Sequence, residues 1–358
     1  MRQAVVVTPS LCPETLGGHC ARCLEACPAD AILLNSGPAL QTEKCLECGI
    51  CAAACPTGAL SFPVVDGPLR RARRQANGPL VLVCAQAEAE NRDETALGTC
   101  LSSLGAESLL ALHLGRQDAI TLACGDCDRC RHGDHGRELR RAVRTAESVI
   151  ASARPTERSP FAMAQRRAGA RREPTQAAEG TVSRRGFLGL FTGRGKPASP
   201  AIEGPATGRS TPAGSVGPSK RERLARLLET LKARGPVPEG IASGRVQKRE
   251  NRACSACGAC VRACPTKALT LETKGNTSTL AFNEAACVGC GSCARVCLPG
   301  FLECTDTTLE AMASGTTTIL VSAPSGRCRR CRTESTALSE TGFCPICSRK
   351  RAGMQGSE

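Results

Sequence analysis

The sequence predicts an α+β protein assembled from several small metal-held units. Two matched cysteine modules flank a small α/β domain and a mostly disordered linker, and a further cysteine motif closes the chain. Three observations carry this reading. The 358 residues include 26 cysteines but no tryptophan, no tyrosine and only seven phenylalanines. The cysteines recur at short fixed spacings, and long cysteine-free stretches change abruptly in composition. Large aromatic side chains normally dominate core burial, so their scarcity argues for small units stabilised by metal rather than one large apolar core. Thiols held for metal must stay reduced, which points to the cytoplasm. The N-terminus lacks the long apolar region of a signal peptide, and no stretch approaches the roughly 20 apolar residues of a membrane span.

The N-terminal module, residues 1–66, contains Cys45, Cys48, Cys51 and Cys55 in the pattern C-x2-C-x2-C-x3-C-P, closed by Pro56. Ahead of them lie Cys12, Cys20, Cys23 and Cys27, the last followed by Pro28, with a first interval of C-x7-C. Residues 250–306 repeat the arrangement with Cys254, Cys257, Cys260 and Cys264 before Pro265, then Cys287, Cys290, Cys293 and Cys297. Thiolates three apart on a tight loop can take three corners of a tetrahedral iron–sulfur cluster, and the fourth cysteine, ahead of proline, ligates the neighbouring cluster. Buried structural thiols are the plain alternative, but two such runs close together make a far more specific signal. Ala31–Leu34 and Gly58–Phe62 read as short strands after each C-P, and KALTLE after Pro265 pairs with TLAF at Thr279–Phe282. Asn35-Ser36-Gly37-Pro38 and Gly275-Asn276 supply the hairpin turns.

Residues 1–66 and 250–306 each resemble bacterial two-cluster ferredoxins, small proteins of two pseudo-symmetric halves. The resemblance covers about a third of the chain and implies four [4Fe–4S] clusters with crossed ligands. It assigns Cys12, Cys20, Cys23 and Cys55 to one cluster and Cys45, Cys48, Cys51 and Cys27 to its neighbour. In the second module it assigns Cys254, Cys257, Cys260 and Cys297 to one, and Cys287, Cys290, Cys293 and Cys264 to the other. Two departures stand out: the long interval after Cys12, where a [3Fe–4S] centre is the exception left open, and Leu298-Pro299 in place of a proline directly after Cys297.

Residues 78–153 read as strand, helix, strand, helix, which suggests a small parallel α/β domain. GPLVLVCA is a buried strand ending at Cys84, the leucines from Leu101 to Leu114 fit a helix beginning near Cys100, and DAITLAC is a strand ending at Cys124. Leu139, Val143, Ala146 and Ile150 mark a helix over about 137–153. The order resembles the small cysteine-bearing subunit that links hydrogenases to heterodisulfide reductases. Cys124, Cys127 and Cys130, with Cys84 or Cys100, form a candidate site for a further iron–sulfur cluster or a zinc ion, with plain or redox-active thiols as the alternative. His132 and His135 read as solvated loop residues.

Residues 154–249 read as a flexible basic linker. Between Ile150 and Glu250 there are 20 Lys and Arg against 8 Asp and Glu, nearly the whole of the +14 net charge. Such composition cannot bury enough apolar surface to order itself. Ser183–Leu188 looks like a twin-arginine motif, but in mid-chain it reads as a docking segment or a chance match. Ser219 and Glu222 form a capping box for an amphipathic helix over 219–234, whose leucine stripe is expected to pack against one module and whose stop is Gly235-Pro236. Its other face is basic, and a partner or an anionic membrane surface is the alternative user of the same leucine stripe. Nucleic acid is disfavoured, because stacking aromatics are nearly absent. At the C-terminus, within 325–350, Cys328, Cys331, Cys344 and Cys347 resemble a zinc ribbon with one structural zinc, rubredoxin-type iron being the rival. Cys304 remains unassigned and reads as a buried thiol.

Four histidines, no glycine-rich dinucleotide fingerprint and no phosphate loop leave no catalytic residues to name. The expected function is transfer of electrons between a redox enzyme, such as a hydrogenase or molybdenum enzyme, and another carrier. A metalloenzyme assembly scaffold and the electron-input subunit of a larger oxidoreductase are the alternatives. The two modules would then form either one wire or two independently docking carriers.

Overall fold

A computed structural model describes residues 5–75, 78–114, 116, 118–130, 136–166 and 219–348. The Ser183–Leu188 segment, His132 and His135 lie outside the described residues. In the N-terminal module, Val6–Val7 pairs antiparallel with Leu60–Ser61, and Ile32–Leu34 forms a hairpin with Pro38–Leu40. Ser36 and Gly37 take positive φ at the turn, where glycine carries no Cβ penalty. Short helices Arg22–Glu25 and Ile50–Ala54 follow the cysteine loops.

The middle domain is a four-stranded, all-parallel sheet in the order Thr95–Ala96, Leu80–Val83, Ile120–Cys124, Phe161–Gln165. Its two central strands are buried almost without interruption, as expected of a parallel sheet covered on both faces. Helices Ala106–His113 and Arg137–Ala153 form the crossovers. The helix expected from Cys100 starts later, because Cys100 is extended, Leu101–Ser103 makes a 3-10 turn and Gly105 caps the true helix in an extended conformation.

The fourth strand lies beyond residue 153, inside the stretch read from sequence as linker. FAMAQ is weakly apolar and only Phe161 is fully buried, so its own signal is faint; the open edge of Ile120–Cys124 recruits it. Arg166 then fixes its end with a two-pronged pair to Glu94 at 2.7 and 2.9 Å, and this guanidinium holds the Glu94 carboxyl below the usual carboxylate range.

The helix Lys220–Leu231 forms behind the Ser219–Glu222 capping box, with Ser219 Oγ accepting from Glu222 N–H at 3.2 Å and Glu222 Oε2 accepting from Ser219 N–H at 2.8 Å. It stops at Lys232, which turns left-handed at φ 55°, three residues ahead of the expected Gly235. Its stripe does not serve one module alone. Leu228 and Leu231 enter a core shared by the N-terminal module, the middle sheet and the helix Leu309–Ser314. This corrects the picture of separate units without a common apolar core: leucine supplies the volume that aromatics usually provide.

In the C-terminal module, Leu269–Lys274 and Thr277–Asn283 form a hairpin through Gly275-Asn276, and a third strand, Thr317–Pro324, pairs with the second. Arg245–Lys248 pairs with Leu302–Thr305, so the expected linker span also contributes a strand here. Cys304, expected to be buried, is exposed near the end of that two-stranded ribbon. Gly326–Arg327 pairs with Glu334–Ser335 below the last four cysteines. No described helix is long and apolar enough to cross a membrane.

Leu228 has no exposed surface, so Leu228→Ala should lower stability by about 2–5 kcal/mol. Exposed Glu229→Ala should stay within about 0.5 kcal/mol. Anaerobic urea denaturation of the two variants checks the contrast.

Candidate metal centres

The chain turns its thiols inward by a repeated backbone device. Three residues after each C-P-type cysteine stands a residue of positive φ: Asp30, Gly58, Lys267 and Gly300. In three of the four turns the next amide then points at the cysteine sulfur: Ala31 N–H to Cys27 Sγ at 3.3 Å, Ala268 N–H to Cys264 Sγ at 3.2 Å, and Phe301 N–H to Cys297 Sγ at 3.2 Å. In the fourth turn, Thr57 Oγ1 lies 3.5 Å from Cys55 Sγ and accepts from Ala59 N–H. A second amide device works at the loop heads. Glu47, Ala256 and Gly289, all of positive φ, donate to Cys45, Cys254 and Cys287 at 3.5, 3.3 and 3.4 Å. Such bonds favour the thiolate over the thiol.

Cys12, Cys20, Cys23 and Cys55 line one small cavity of about 10 Å³. Cys27, Cys45, Cys48 and Cys51 line a second of about 20 Å³, walled otherwise by apolar residues and glycine. Cys254, Cys257, Cys260 and Cys297 line a third, also about 20 Å³. The charge neighbours of Cys287 include Cys290 and Cys264, and those of Cys293 include Cys287 and Cys290, so these four form the remaining group. Each group therefore takes three sulfurs from one loop and the fourth from the other. The long C-x7-C loop keeps Cys12 in its group: Gly17 turns left-handed, and Glu14 accepts the Cys20 amide at 2.8 Å. Leu298-Pro299 likewise leaves the Cys297 turn equivalent to the others.

Burial first, and mutual repulsion second, push the Cys23 and Cys51 thiols up to about 12. Cys260 is pushed to about 12 by the same causes in the same order. Such thiols hold their protons more tightly than a free cysteine, and a cationic metal centre at the point they face displaces those protons. The donor set fits.

The middle domain brings Cys84, Cys100, Cys124, Cys127 and Cys130 around one cavity of about 20 Å³, equal to two of the ferredoxin-type cavities. Parallel pairing explains it. Val83 lies opposite Ala123, so Cys84 and Cys124 leave neighbouring strands side by side at their C-terminal ends. Gly125 N–H donates to Cys84 Sγ at 3.3 Å and Ser102 N–H to Cys100 Sγ at 3.4 Å. A side chain at Gly125 would overlap the Gln86 carbonyl, so that close approach requires glycine. Burial raises the Cys124 and Cys127 thiols.

At the C-terminus the sulfurs of Cys328, Cys331, Cys344 and Cys347 all lie within 4.8 Å of one another. Cys331 and Cys344 are 3.8 Å apart, close to the edge of a tetrahedron with metal–sulfur bonds of about 2.3 Å. Amides of Cys331 and Cys344 hold the Cys328 thiol low. Zinc and iron fit these four sulfurs equally.

Several residues bearing on the sites carry no motif. Lys220 donates to the carbonyls of Ala52, Ala53 and Cys55, and Arg221 to those of Ala285 and Ala242. Ser292 Oγ lies 3.2 Å from Cys290 Sγ. The signal that was available is positional: two cations open a helix where the dipole disfavours them, which implies partners elsewhere. A separate cleft of about 510 Å³ includes Arg22, Arg137, Arg141 and Arg144 with three glutamates and no cysteine.

Fold and sulfur geometry together define a multi-centre thiolate metalloprotein built on paired cluster loops. Comparison with known proteins agrees: a family model described as a 4Fe-4S dicluster domain matches residues 18–59 and again 253–301. The chain is 54% identical over 41 residues to an uncharacterized ferredoxin of Methanocaldococcus jannaschii, a match spanning 11% of this chain and 27% of that protein. It is 34% identical over 59 residues to a second uncharacterized ferredoxin of the same organism, spanning 16% of this chain and 90% of that one. The chain belongs to the ferredoxin family and carries the dicluster domain twice, which implies [4Fe–4S] clusters.

Crossed grouping makes a specific prediction. Cys264→Ser should first impair the centre of Cys287, Cys290 and Cys293, with loss of up to about four iron per chain. The centre of Cys254, Cys257 and Cys260 should persist, as read by iron content and by EPR of the reduced protein.

Proposed function

We propose that this protein is a multi-cluster electron carrier that passes single electrons between a redox enzyme, of the hydrogenase or molybdenum-enzyme kind, and another carrier. The observation that carries the reading is the four groups of four sulfurs, half-buried to buried, each completed across two loops. Cys12, Cys20, Cys23 and Cys55 would hold one [4Fe–4S] cluster, and Cys27, Cys45, Cys48 and Cys51 the next. Cys254, Cys257, Cys260 and Cys297, and then Cys264, Cys287, Cys290 and Cys293, would hold the other two. Each cluster, when bound, takes up and releases one electron. The chain's part is to enclose and tune. Apolar walls exclude water, and amide donors to sulfur stabilise the more negative state. Cys328, Cys331, Cys344 and Cys347 would hold a structural zinc that fixes the C-terminal ribbon.

The five-thiol group of the middle domain favours one extension of this reading, in which the chain is the electron-input subunit of a larger oxidoreductase. That group would carry a further metal centre at the docking end. Cys100 packs against Cys48 and Ile50 of the N-terminal module, and Thr99 Oγ1 donates to Glu47 O at 3.1 Å, so the extra site adjoins the cluster loops.

Anaerobic iron, sulfide and zinc analysis with EPR tests both. About 16 iron and one zinc per chain, reversibly reducible, is the expected result for the four cubanes, and about 20 iron adds a fifth cubane in the middle domain. Far fewer than 16 iron, or clusters that stay redox-inert while the chain binds an apo-enzyme, would replace the carrier reading with an assembly role.

A further inference from the structure

Two contacts join the modules beside their sulfurs. The first is between Gly18, two residues before Cys20, and Ser292, two residues after Cys290. A Cβ placed on Gly18 would overlap Ser292 Oγ and lie 2.8 Å from Ser292 Cβ. Ser292 is wholly buried, and its hydroxyl stands 3.2 Å from Cys290 Sγ. From the Cys20 loop to the Cys290 sulfur there is thus one glycine backbone and one serine side chain. Gly18 does not have positive φ, so space, not backbone conformation, demands glycine there.

The second contact is the opening turn of the helix Lys220–Leu231. The Lys220 ammonium donates to the carbonyls of Ala52, Ala53 and Cys55 at 3.0, 2.7 and 2.8 Å. The next residue, Arg221, donates to Ala285 O at 2.7 Å and Ala242 O at 3.0 Å, and Ala285 is two residues before Cys287. Consecutive side chains therefore grip the Cys55 turn of one module and the Cys287 turn of the other. Burial lowers both cations below their usual range, opposed at Lys220 by Glu107 and Cys55 and at Arg221 by Cys287 and Glu284.

Resting on the carrier reading, the geometry points to one continuous relay whose inter-module step crosses the Gly18–Ser292 contact, from the group of Cys12, Cys20, Cys23 and Cys55 to that of Cys264, Cys287, Cys290 and Cys293, with Lys220 and Arg221 as positioning residues. The step moves one electron and nothing else: one centre is oxidised by one unit, the next is reduced by one, and no bond or proton changes. A low-potential one-electron donor supplies the electron. The neighbours extend the series. Cys23 and Cys51, one from each N-terminal group, lie in the same packed cluster, and Cys100 of the middle domain packs against the cluster that holds Cys48. At the other end Thr336 Oγ1 donates to Cys254 O at 2.8 Å, which ties the C-terminal ribbon to the loop of the last centre. Two independently docking carriers would need the modules free of one another, and these contacts bind them.

Pulsed EPR of the dithionite-reduced full chain tests the relay. With the outer centres disabled by Cys45→Ser and Cys254→Ser, the two inner centres should show mutual spin coupling; two isolated signals would overturn the proposal. In the otherwise unaltered chain, Gly18→Val, which wedges the modules apart, should remove the inter-module component of the coupling while iron content is retained. A spectrum identical to that of the parent would also overturn it. Centres that reduce but do not couple would sink only the relay, whereas centres that never reduce would sink the carrier reading with it.

Discussion

Packing sulfur against sulfur in a buried space is the constraint on which this protein depends. In the paired loops, burial and then mutual repulsion raise the Cys23, Cys51 and Cys260 thiols, so these sulfurs hold their protons until a metal centre displaces them. The chain prepares for that centre before it arrives. Left-handed residues at fixed offsets, Asp30, Gly58, Lys267 and Gly300, bend the backbone after each closing cysteine, and in three of these turns the next amide is delivered to sulfur. Two of the four are not glycine, so the folded loop bears their conformational cost. The donor geometry matters more to the loop than the local preference of its residues.

Around those loops, leucine does what aromatic residues do in larger cores. Leu80, Leu82, Leu122, Leu109 and Leu112 fill the sheet–helix interface, and Leu228 and Leu231 arrive from a segment more than a hundred residues away. The consequence is a change of architecture. Small cluster modules on their own rely on metal for much of their stability, but here the N-terminal module shares a core with the α/β domain and the linker helix. The C-terminal module keeps its own core, of Phe282, Leu280, Phe301 and Leu302 among others. It joins the larger core through Leu309 and Met312 of the helix set between its strands Leu302–Thr305 and Thr317–Pro324. The hydrogen bonds of Lys220 and Arg221 add alignment to that apolar joint.

Much of this was legible in the sequence, and the illegible parts share a cause. Cysteine spacing is local chemistry, so the groupings of the two modules and the C-terminal four sulfurs can be read from a string. The capping box at Ser219 is equally local and forms as written. The strand Phe161–Gln165 cannot be read that way, because its pairing comes from the free edge of Ile120–Cys124 and its own apolar alternation is weak. Cys100 misleads for a related reason. Leucine periodicity downstream suggests a helix through it, yet Gly105 breaks the period and leaves the sulfur on an extended segment facing Cys84 and Cys124. Ser292 and Gly18 are small residues without a signature, and only the approach of the two modules gives them meaning.

The long C-x7-C interval gains its explanation from that approach. As a departure from the regular spacing it puts Cys12 outside the segment matched by the dicluster family model, which begins at residue 18. In the fold, the extra residues make a compact loop: Gly17 turns left-handed, the Gly18 amide returns to Pro13 O at 2.8 Å, and Glu14 pins the Cys20 amide. Cys12 stays with Cys20, Cys23 and Cys55 despite the insertion. What the insertion adds is a bare glycine surface, and that surface is the one Ser292 meets. A regular C-x2-C head would have no residues to spare for such a contact. The irregularity in the first motif is therefore best understood as the part of the N-terminal module shaped to receive the second.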